Sequence, residues 1–228
     1  YPVGQIQGLG GAVLTLSGVS SDNPVATRLY LPSTGSPAIS PSFGAGWEKT
    51  ANAVRLAADV GKSSTAMSTG SDLSGSATAN FDVLHYQYIY GPIGAQTISG
   101  NIKGQILVIE DLATYDLKTQ MFVRVVGSDG VTERGTLLNF GTYGNEWNNS
   151  LRNITFPSTA LSSVDALDGD YIVIELGYRQ TAAVFGSGSW RVGDNGSTDL
   201  PEDETTTDTT MNPWIEFSTY IVPQLTAD

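Results

Sequence analysis

The sequence predicts an all-β fold: an antiparallel β-sandwich, jelly-roll-like, built as a single domain. Apolar and polar residues alternate with a period of two in many short segments, and turn residues separate these segments. The chain has 26 glycines while only 15% of its residues are charged, a composition typical of short strands joined by turns. Its 228 residues can bury roughly 70% of the surface of the unfolded chain, so packing alone can stabilise one domain.

The clearest strand covers residues 170–179 and is predicted to be a central one. Ile172, Ile174 and Leu176 point to one face, and the residues between them point to the other. β-Branched residues dominate the segment, and turn residues at 168–170 precede it. We therefore expect one face of this strand to be buried and the other face to be only partly buried.

The other strands follow from the same alternation between turn residues. They are residues 12–17, 26–31, 81–90, 97–110, 118–126, 132–140, 154–161 and 212–220. Gly91 and Pro92 are expected to end the strand that begins at Phe81, and Gly100 marks a bend. Before the sandwich domain, which spans residues 12–228, residues 1–11 are predicted to form an N-terminal arm or edge segment.

Four segments are less regular. Residues 32–46 are rich in proline, serine and glycine, which predicts a long exposed connection. The spacing in residues 48–60 fits a helix nearly as well as a strand, and the β surroundings favour a strand. Residues 61–80 contain almost no large apolar side chain and are expected to form a loop or a flat surface strand. Residues 194–210 are predicted to form an acidic surface loop, because residues 192–228 contain eight acids and neither lysine nor arginine.

The charge of the chain argues against several classes of partner. A net charge of −12 repels the phosphates of nucleic acids and the head groups of anionic lipids, so neither a nucleic acid nor a membrane is expected as a partner. No apolar run approaches the roughly 20 residues that span a bilayer. The absence of cysteine excludes disulfides, a thiolate nucleophile and cysteine-based metal sites.

No catalytic motif is present in the sequence, so the chain is not expected to be an enzyme. His85 is the only histidine, and any Ser-His-Asp arrangement would need it. It stands in an apolar and aromatic strand where a packed histidine is the more common outcome. A pair of catalytic carboxylates cannot be assigned from spacing alone, and a hydrolase ranks third among the possible functions.

The acidic loop raises the question of a calcium site. Its candidate ligands are hard oxygen donors: Asp194, Asp199, Glu202 and Asp203. Calcium takes about six to eight such ligands, yet the regular spacing of an EF-hand loop is missing. The alternative is a solvated anionic loop that keeps particles apart or faces a basic neighbour, and no other cofactor is expected.

The aromatic residues are the other candidate site. Tyr86, Tyr88 and Tyr90 form a ladder on one predicted strand, and three tryptophans with a neighbouring amide stand in sequence contexts typical of loops. These are Trp47, Trp147, Trp190 and Asn148. Aromatic rings that stack on sugars beside amides that bond hydroxyls are typical of glycan-binding sandwiches. The alternative is that the rings fill the core or a subunit interface.

Four short motifs carry a family resemblance. They occupy residues 134–138, 169–178, 200–204 and 212–218, less than half of the chain. Together they resemble virion structural proteins of tailed bacteriophages. The resemblance implies a sandwich that decorates the capsid or belongs to a fibre or the tail, without an enzymatic duty.

The sequence therefore predicts a virion structural protein that forms a homo-oligomer, contacts other virion proteins and lies on the virion surface or outside the cell. Adhesion to a cell-surface glycan is a possible second duty. The alternative is a secreted carbohydrate-binding module of the lectin-like sandwich type.

Overall fold

Strands supply all the regular structure of the computed structural model, which describes residues 26–69 and 73–225. The described residues contain no helix. The predicted arm at 1–11 and the predicted strand at 12–17 lie outside them. The strands, in chain order, are β1 (Thr27–Tyr30), β2 (Val54–Ala57), β3 (Ser68–Thr69), β4 (Leu73–Ser74), β5 (Phe81–Ile93), β6 (Gln96–Ile98), β7 (Asn101–Glu110), β8 (Leu117–Val126), β9 (Glu133–Glu146), β10 (Arg152–Ala160), β11 (Val164–Ala166), β12 (Asp170–Gln180), β13 (Ser187–Val192) and β14 (Trp214–Phe217).

Two large sheets enclose one core, so the predicted all-β sandwich is confirmed. The first sheet has the order β1-β14-β7-β13-β3, with β10 also paired to β7 and β4 to β13. The second sheet has the order β2-β5-β12-β8-β9, and β6 and β11 form a small third sheet. Trp190 and Phe217 of the first sheet share a hydrophobic cluster with Tyr88 and Ile174 of the second. One pair departs from the antiparallel prediction, because β2 runs parallel to β5.

Strand β12 is central, as predicted, but both of its faces are buried. It pairs with β5 on one side and β8 on the other. Val173 and Glu175, on the face expected to be partly exposed, have no accessible surface. The long connection before β2 covers this face, where Ile39 packs on the cluster of Val173 and the backbone of Gly44 bonds Glu175. The alternation of β12 identified its two faces correctly but could not reveal that second layer.

One predicted strand end is wrong, and the bend expected at Gly100 divides another predicted strand in two. Strand β5 continues through Gly91 and Pro92 to Ile93 instead of ending there. The register with β12 shifts at this point, so the proline, which lacks an N–H, lies in a bulge. The predicted strand 97–110 is interrupted at Gly100, whose φ of +90° suits a glycine, and it forms β6 and β7.

The weaker segments contain less strand than expected. Only Val54–Ala57 of residues 48–60 is a strand, and the tract 61–80 contributes the two short strands β3 and β4. Strands β11 and β13 were not predicted. Strand β13 begins with a serine, a glycine and a second serine, so it lacks the β-branched residues that would announce a strand.

A bulge in β5 changes which side chains share a face. Leu176 pairs with Tyr86 and Gly177 pairs with Leu84, so His85 is an extra residue without a partner on β12. Strict alternation had placed Val83 and Tyr86 on opposite faces. Both belong to the interior cluster, because the extra residue shifts the phase of the strand by one.

Candidate functional site

Most of the predicted aromatic site is core. Tyr88 is 0% exposed and Trp190 is 1% exposed, and the same is nearly true of Tyr86 and Trp147. Trp147 packs edge to face on Trp190 with ring centroids 5.4 Å apart, and its indole nitrogen donates to the hydroxyl of Thr119. A sugar cannot reach these rings. The proposal that they form a glycan platform is therefore wrong, and they belong to the core.

The side chains of Trp47 and Asn148 also make contacts within the chain. Trp47 is buried on the outer face of the second sheet, edge-on to Phe140 at a centroid distance of 4.8 Å. The side chain of Asn148 accepts a hydrogen bond from the backbone of Ser150, which closes a turn. Asn148 is half-buried. Trp47 therefore presents no free ring to a ligand, and the amide oxygen of Asn148 is already bonded within the chain.

His85 is packed, as the sequence analysis expected. Its ring lies among Tyr86, Tyr178 and Trp190, with centroid distances of 6.3, 5.4 and 6.1 Å. Burial, with a smaller contribution from the charge of Lys49, lowers its pKa to about 3. The imidazole is therefore neutral at physiological pH, and a solvent molecule or substrate does not reach it.

Asp194 anchors the acidic loop in the fold. The residue is 1% exposed, and its carboxylate accepts four hydrogen bonds from the backbone and hydroxyl groups of Ser63 and Thr65. Burial alone would raise its pKa, but these hydrogen bonds outweigh that effect and lower the pKa. Most of residues 195–210 lie at the surface, as predicted, while Asp194 and Leu200 are buried.

The predicted calcium ligands do not converge. Asp199 accepts from Tyr30 and pairs with Arg28 and Lys62. Each of the other two carboxylates has a separate protein partner: Glu202 pairs with Lys103, and Asp203 accepts from Thr205 and Thr206. Across residues 26–69 and 73–225, no group of three or more histidine or acidic side chains is placed to hold a metal ion.

Tyr90 is the one predicted aromatic residue that reaches a surface site. It lines an open groove of about 330 Å³ with Tyr30, Tyr220, Val60 and Pro223, which we call the tyrosine groove. The groove forms where the ends of several strands and connections meet. Tyr30 bridges to Asp59, the backbone of Ala58 bonds Ile89, and Ile93 bridges to Pro223.

The tyrosine groove combines apolar walls with acidic neighbours. Tyr30 donates its hydroxyl to Asp199 at 2.9 Å, and burial together with this hydrogen bond raises its pKa to about 12. Burial and the nearby Asp59 and Tyr220 raise the pKa of Tyr90. The phenols of Tyr30 and Tyr90 are therefore neutral at physiological pH. The aromatic rings of such a groove can stack on a ligand, and their hydroxyl groups can form hydrogen bonds with it.

Residues that the sequence reasoning missed complete the groove. Tyr30 ends β1, Tyr220 follows β14 and Val60 follows β2, and Asp59 lies next to Val60 at the edge of the groove. Their only common signal is that each lies at or just beyond a strand end next to turn residues. Nothing in their spacing indicates that the four segments meet.

The two ends of the sandwich present a second surface feature. At one end, which we call the hairpin end, residues 111–116 lie beside residues 181–187, and Asp111 bonds the backbone of Ser187. At the other end, which we call the turn end, residues 127–132, 167–169 and 222–225 lie together. Exposed apolar side chains cluster in these loops: Leu112, Val184 and Phe185 at the hairpin end, and Val131, Leu167, Val222 and Leu225 at the turn end.

Comparison with known proteins shows little sequence similarity. No family model and no curated protein sequence matches the chain. A crystal structure of a CocE/NonD family hydrolase from Staphylococcus aureus aligns with a TM-score of 0.46 at 11% identity, over 92% of this chain and 39% of that one. A structure of the infectious bursal disease virus Gt strain aligns with a TM-score of 0.16 at 13% identity, over 79% of this chain and 41% of that one. This chain thus spans about two fifths of the length of the solved structures it matches.

The described residues contain no helix with the length and apolar character needed to cross a membrane.

Proposed function

We propose that this chain is a virion structural protein of a tailed bacteriophage, exposed on the particle, where it acts through protein–protein contacts at the two ends of its sandwich. The observation that carries the proposal is the position of the exposed apolar side chains. Phe185 is 68% exposed at the hairpin end, and Leu225 is 88% exposed at the turn end. Exposed apolar groups gathered in one place are typical of contact surfaces.

The charge distribution favours contacts with a basic partner. Six of the basic side chains already form ion pairs within the chain: Arg28, Lys62, Lys103, Arg124, Arg134 and Arg179. The excess of acids over bases is therefore carried largely by groups that face solvent. Such a surface favours a basic neighbour and keeps copies apart where their sides would otherwise touch.

The motifs that resemble virion proteins interlock in the fold. Leu200 bonds the backbone of Asn212, and the indole nitrogen of Trp214 donates to the carbonyl of Leu200 at 2.8 Å. The side-chain amide of Asn153 donates to the carbonyls of Pro201 and Asp203. The motifs at residues 200–204 and 212–218 thus support the scaffold of the first sheet through their mutual contacts.

A light-scattering experiment tests assembly through the ends. The purified chain is expected to form a homo-oligomer whose mass rises with concentration. Replacing Leu112 and Phe185 by serine should reduce that mass, because both side chains are exposed at the hairpin end. Replacing the exposed Val54, which lies on β2 away from the end loops, serves as the control. A chain that stays monomeric at high concentration and does not bind to particles lacking it would contradict the proposal.

The second candidate is a carbohydrate-binding module. The observation that favours it is the tyrosine groove, which has three aromatic rings on an open surface. It does not use the buried rings that the sequence had suggested. This candidate predicts weak binding of glycans by the isolated chain, whether or not the chain assembles.

A further inference from the structure

We propose that the tyrosine groove binds a neutral, hexose-based glycan and discriminates against glycans that carry carboxylates or sulfates. This inference rests on the second candidate function and names its ligand class. The groove adjoins the turn end, because Pro223 belongs to both, and none of its lining residues belongs to the hairpin end. Its volume of about 330 Å³ lies at the lower bound of small-molecule sites, which suits one or two sugar rings.

The walls fit the apolar face of a sugar. Tyr220 is half exposed, and Tyr30 and Tyr90 are each partly buried in the same groove, with Val60 and Pro223 between them. Aromatic rings held by a rigid sheet lose little conformational freedom when a ligand stacks on them. Tyr90 is fixed by β5 and Tyr30 by β1, so two of the three rings are preorganised.

The polar groups fit the hydroxyls of a sugar. Within the described residues, the hydroxyls of Tyr90 and Tyr220 have no hydrogen-bond partner. One oxygen of Asp59 accepts a bond from the backbone of Gly61, and the other has no partner in this part of the chain. A carboxylate oxygen accepts from a sugar hydroxyl, while a phenol both donates and accepts. The groove thus offers bonds that a saccharide can complete.

The charges select a neutral ligand over an anionic one. Asp59 forms a backbone bridge with Tyr30, which lines the groove together with Tyr90, so an anion bound against these rings would approach the Asp59 carboxylate. Arg28 would be the natural partner of an anion, but it already pairs with Asp199 and Glu216. The nearby Lys62 pairs with Asp199 as well. The cations beside the groove are therefore neutralised, and the unbalanced charge is negative.

Saturation-transfer NMR and titration with defined oligosaccharides test the proposal. The neutral probes are lactose, maltotriose, cellotriose and chitotriose, and the charged probe is 3′-sialyllactose. At least one neutral probe is expected to bind with a Kd of about 1 mM. Lactose, if bound, should exceed sialyllactose in affinity by roughly tenfold, since one unfavourable charge contact costs about that factor.

Three variants locate the site. Tyr220→Ser should weaken binding roughly tenfold, because it removes one stacked ring from an exposed position. Phe185→Ser removes an exposed aromatic ring at the hairpin end and should leave glycan binding unchanged. Asp59→Asn should reduce the preference for neutral over sialylated probe. Failure of all neutral probes to bind at about 10 mM would overturn the proposal, as would loss of binding in Phe185→Ser but not in Tyr220→Ser.

Other occupants of the groove give different results. A fall in oligomer mass in Tyr220→Ser would assign the groove to a second copy of the chain and contradict the glycan proposal. Assembly through the ends is measured by light scattering, so its failure is distinguishable from failure to bind sugar.

Discussion

The carboxylate of Glu175 accepts a hydrogen bond of 2.6 Å from the indole nitrogen of Trp47. Glu175 lies on the outer face of the central strand, and Trp47 lies at the end of the long connection that covers this face. The backbone of Gly44 and the side chain of Gln87 also donate to Glu175, and Arg124 pairs with it. This fully buried carboxylate therefore joins the second layer to the sheet.

Glu175→Gln tests that junction. Glutamine keeps the size of the side chain but leaves Arg124 with one counterion fewer at a buried position. The free energy of unfolding should fall by about 3 kcal/mol, because the buried Arg124 then keeps only the more exposed Glu133 as a counterion. Urea denaturation measures this change in the free energy of unfolding.

Glu146→Gln at an exposed position is the control and should change stability by less than about 0.5 kcal/mol. Equal effects in both variants would contradict the role of Glu175.

Gly177→Ala tests how closely β5, β12 and the covering layer approach each other. A Cβ atom at Gly177 would lie 2.0 Å from the carbonyl oxygen of Val83 and 2.8 Å from the ring of Trp47. Because backbone must move to relieve the clash, stability should fall by about 3 kcal/mol. Gly61→Ala is the matched control, since its Cβ would meet no atom within 4 Å. Similar urea midpoints for the two variants would show that the approach at Gly177 is looser.

Glu110 is expected to make the folded state less stable as the pH rises. Burial raises its pKa from 4.5 to about 7, and the charges of Glu146 and Asp116 act in the same sense, while its hydrogen bond from Leu117 opposes them. The folded state thus holds a proton that the unfolded state releases. Its contribution to stability is present below pH 4.5 and is lost as the pH rises to about 7. In Glu110→Gln the melting temperature should fall less between pH 5 and about 8 than in the native chain. Parallel pH profiles would contradict this assignment.

His85 acts in the opposite direction. Its pKa falls from 6.5 in the unfolded chain to about 3 in the folded one, mainly because of burial. The unfolded state therefore binds the proton first, and stability is lost as the pH falls from about 6.5 toward 3. His85→Phe should flatten the acid side of the profile of melting temperature against pH. An acid side that keeps its slope in this variant would show that His85 is not the group responsible.

The acidic loop should not depend on calcium. Asp194 is bonded to Ser63 and Thr65, and Asp199 is paired with Arg28 and Lys62. Because these carboxylates already have protein partners, a chelator is expected to leave the melting temperature within about 1 °C. Differential scanning calorimetry with and without EDTA measures this, and Asp208→Asn, which keeps the oxygen that accepts from Thr210, provides a reference for a change of loop charge alone. A large fall on chelation would reveal a metal site.

The regular strands of the fold were predictable because their own residues show the alternation of apolar and polar side chains. The alternation of β12 and β8 predicted both strands to within one residue at each end. Strand β13 was missed because Gly188 and Ser189 belong to it by pairing with β7, and Ser187 by pairing with β4, and not by their own preference. The bulge at His85 was also invisible, since a bulge depends on the partner strand.

The sites were less predictable for a different reason. A period of two identifies the face of a side chain but not what covers that face. Tyr86 and Tyr88 therefore looked like a possible ladder on the surface, although a sheet covers them. The tyrosine groove is lined by Tyr30, Tyr90 and Tyr220, which lie far apart in the sequence. Their proximity could be predicted only from the order of the strands in the sheets.

Reconstitution on particles that lack this chain measures most directly whether it functions through surface contacts. Purified chain should bind such particles saturably, with a fixed number of copies at defined positions in electron cryomicroscopy, and serine at Leu112 and Phe185 should weaken that binding. Absence of binding, together with turnover of a compound that a single substitution abolishes, would contradict the account.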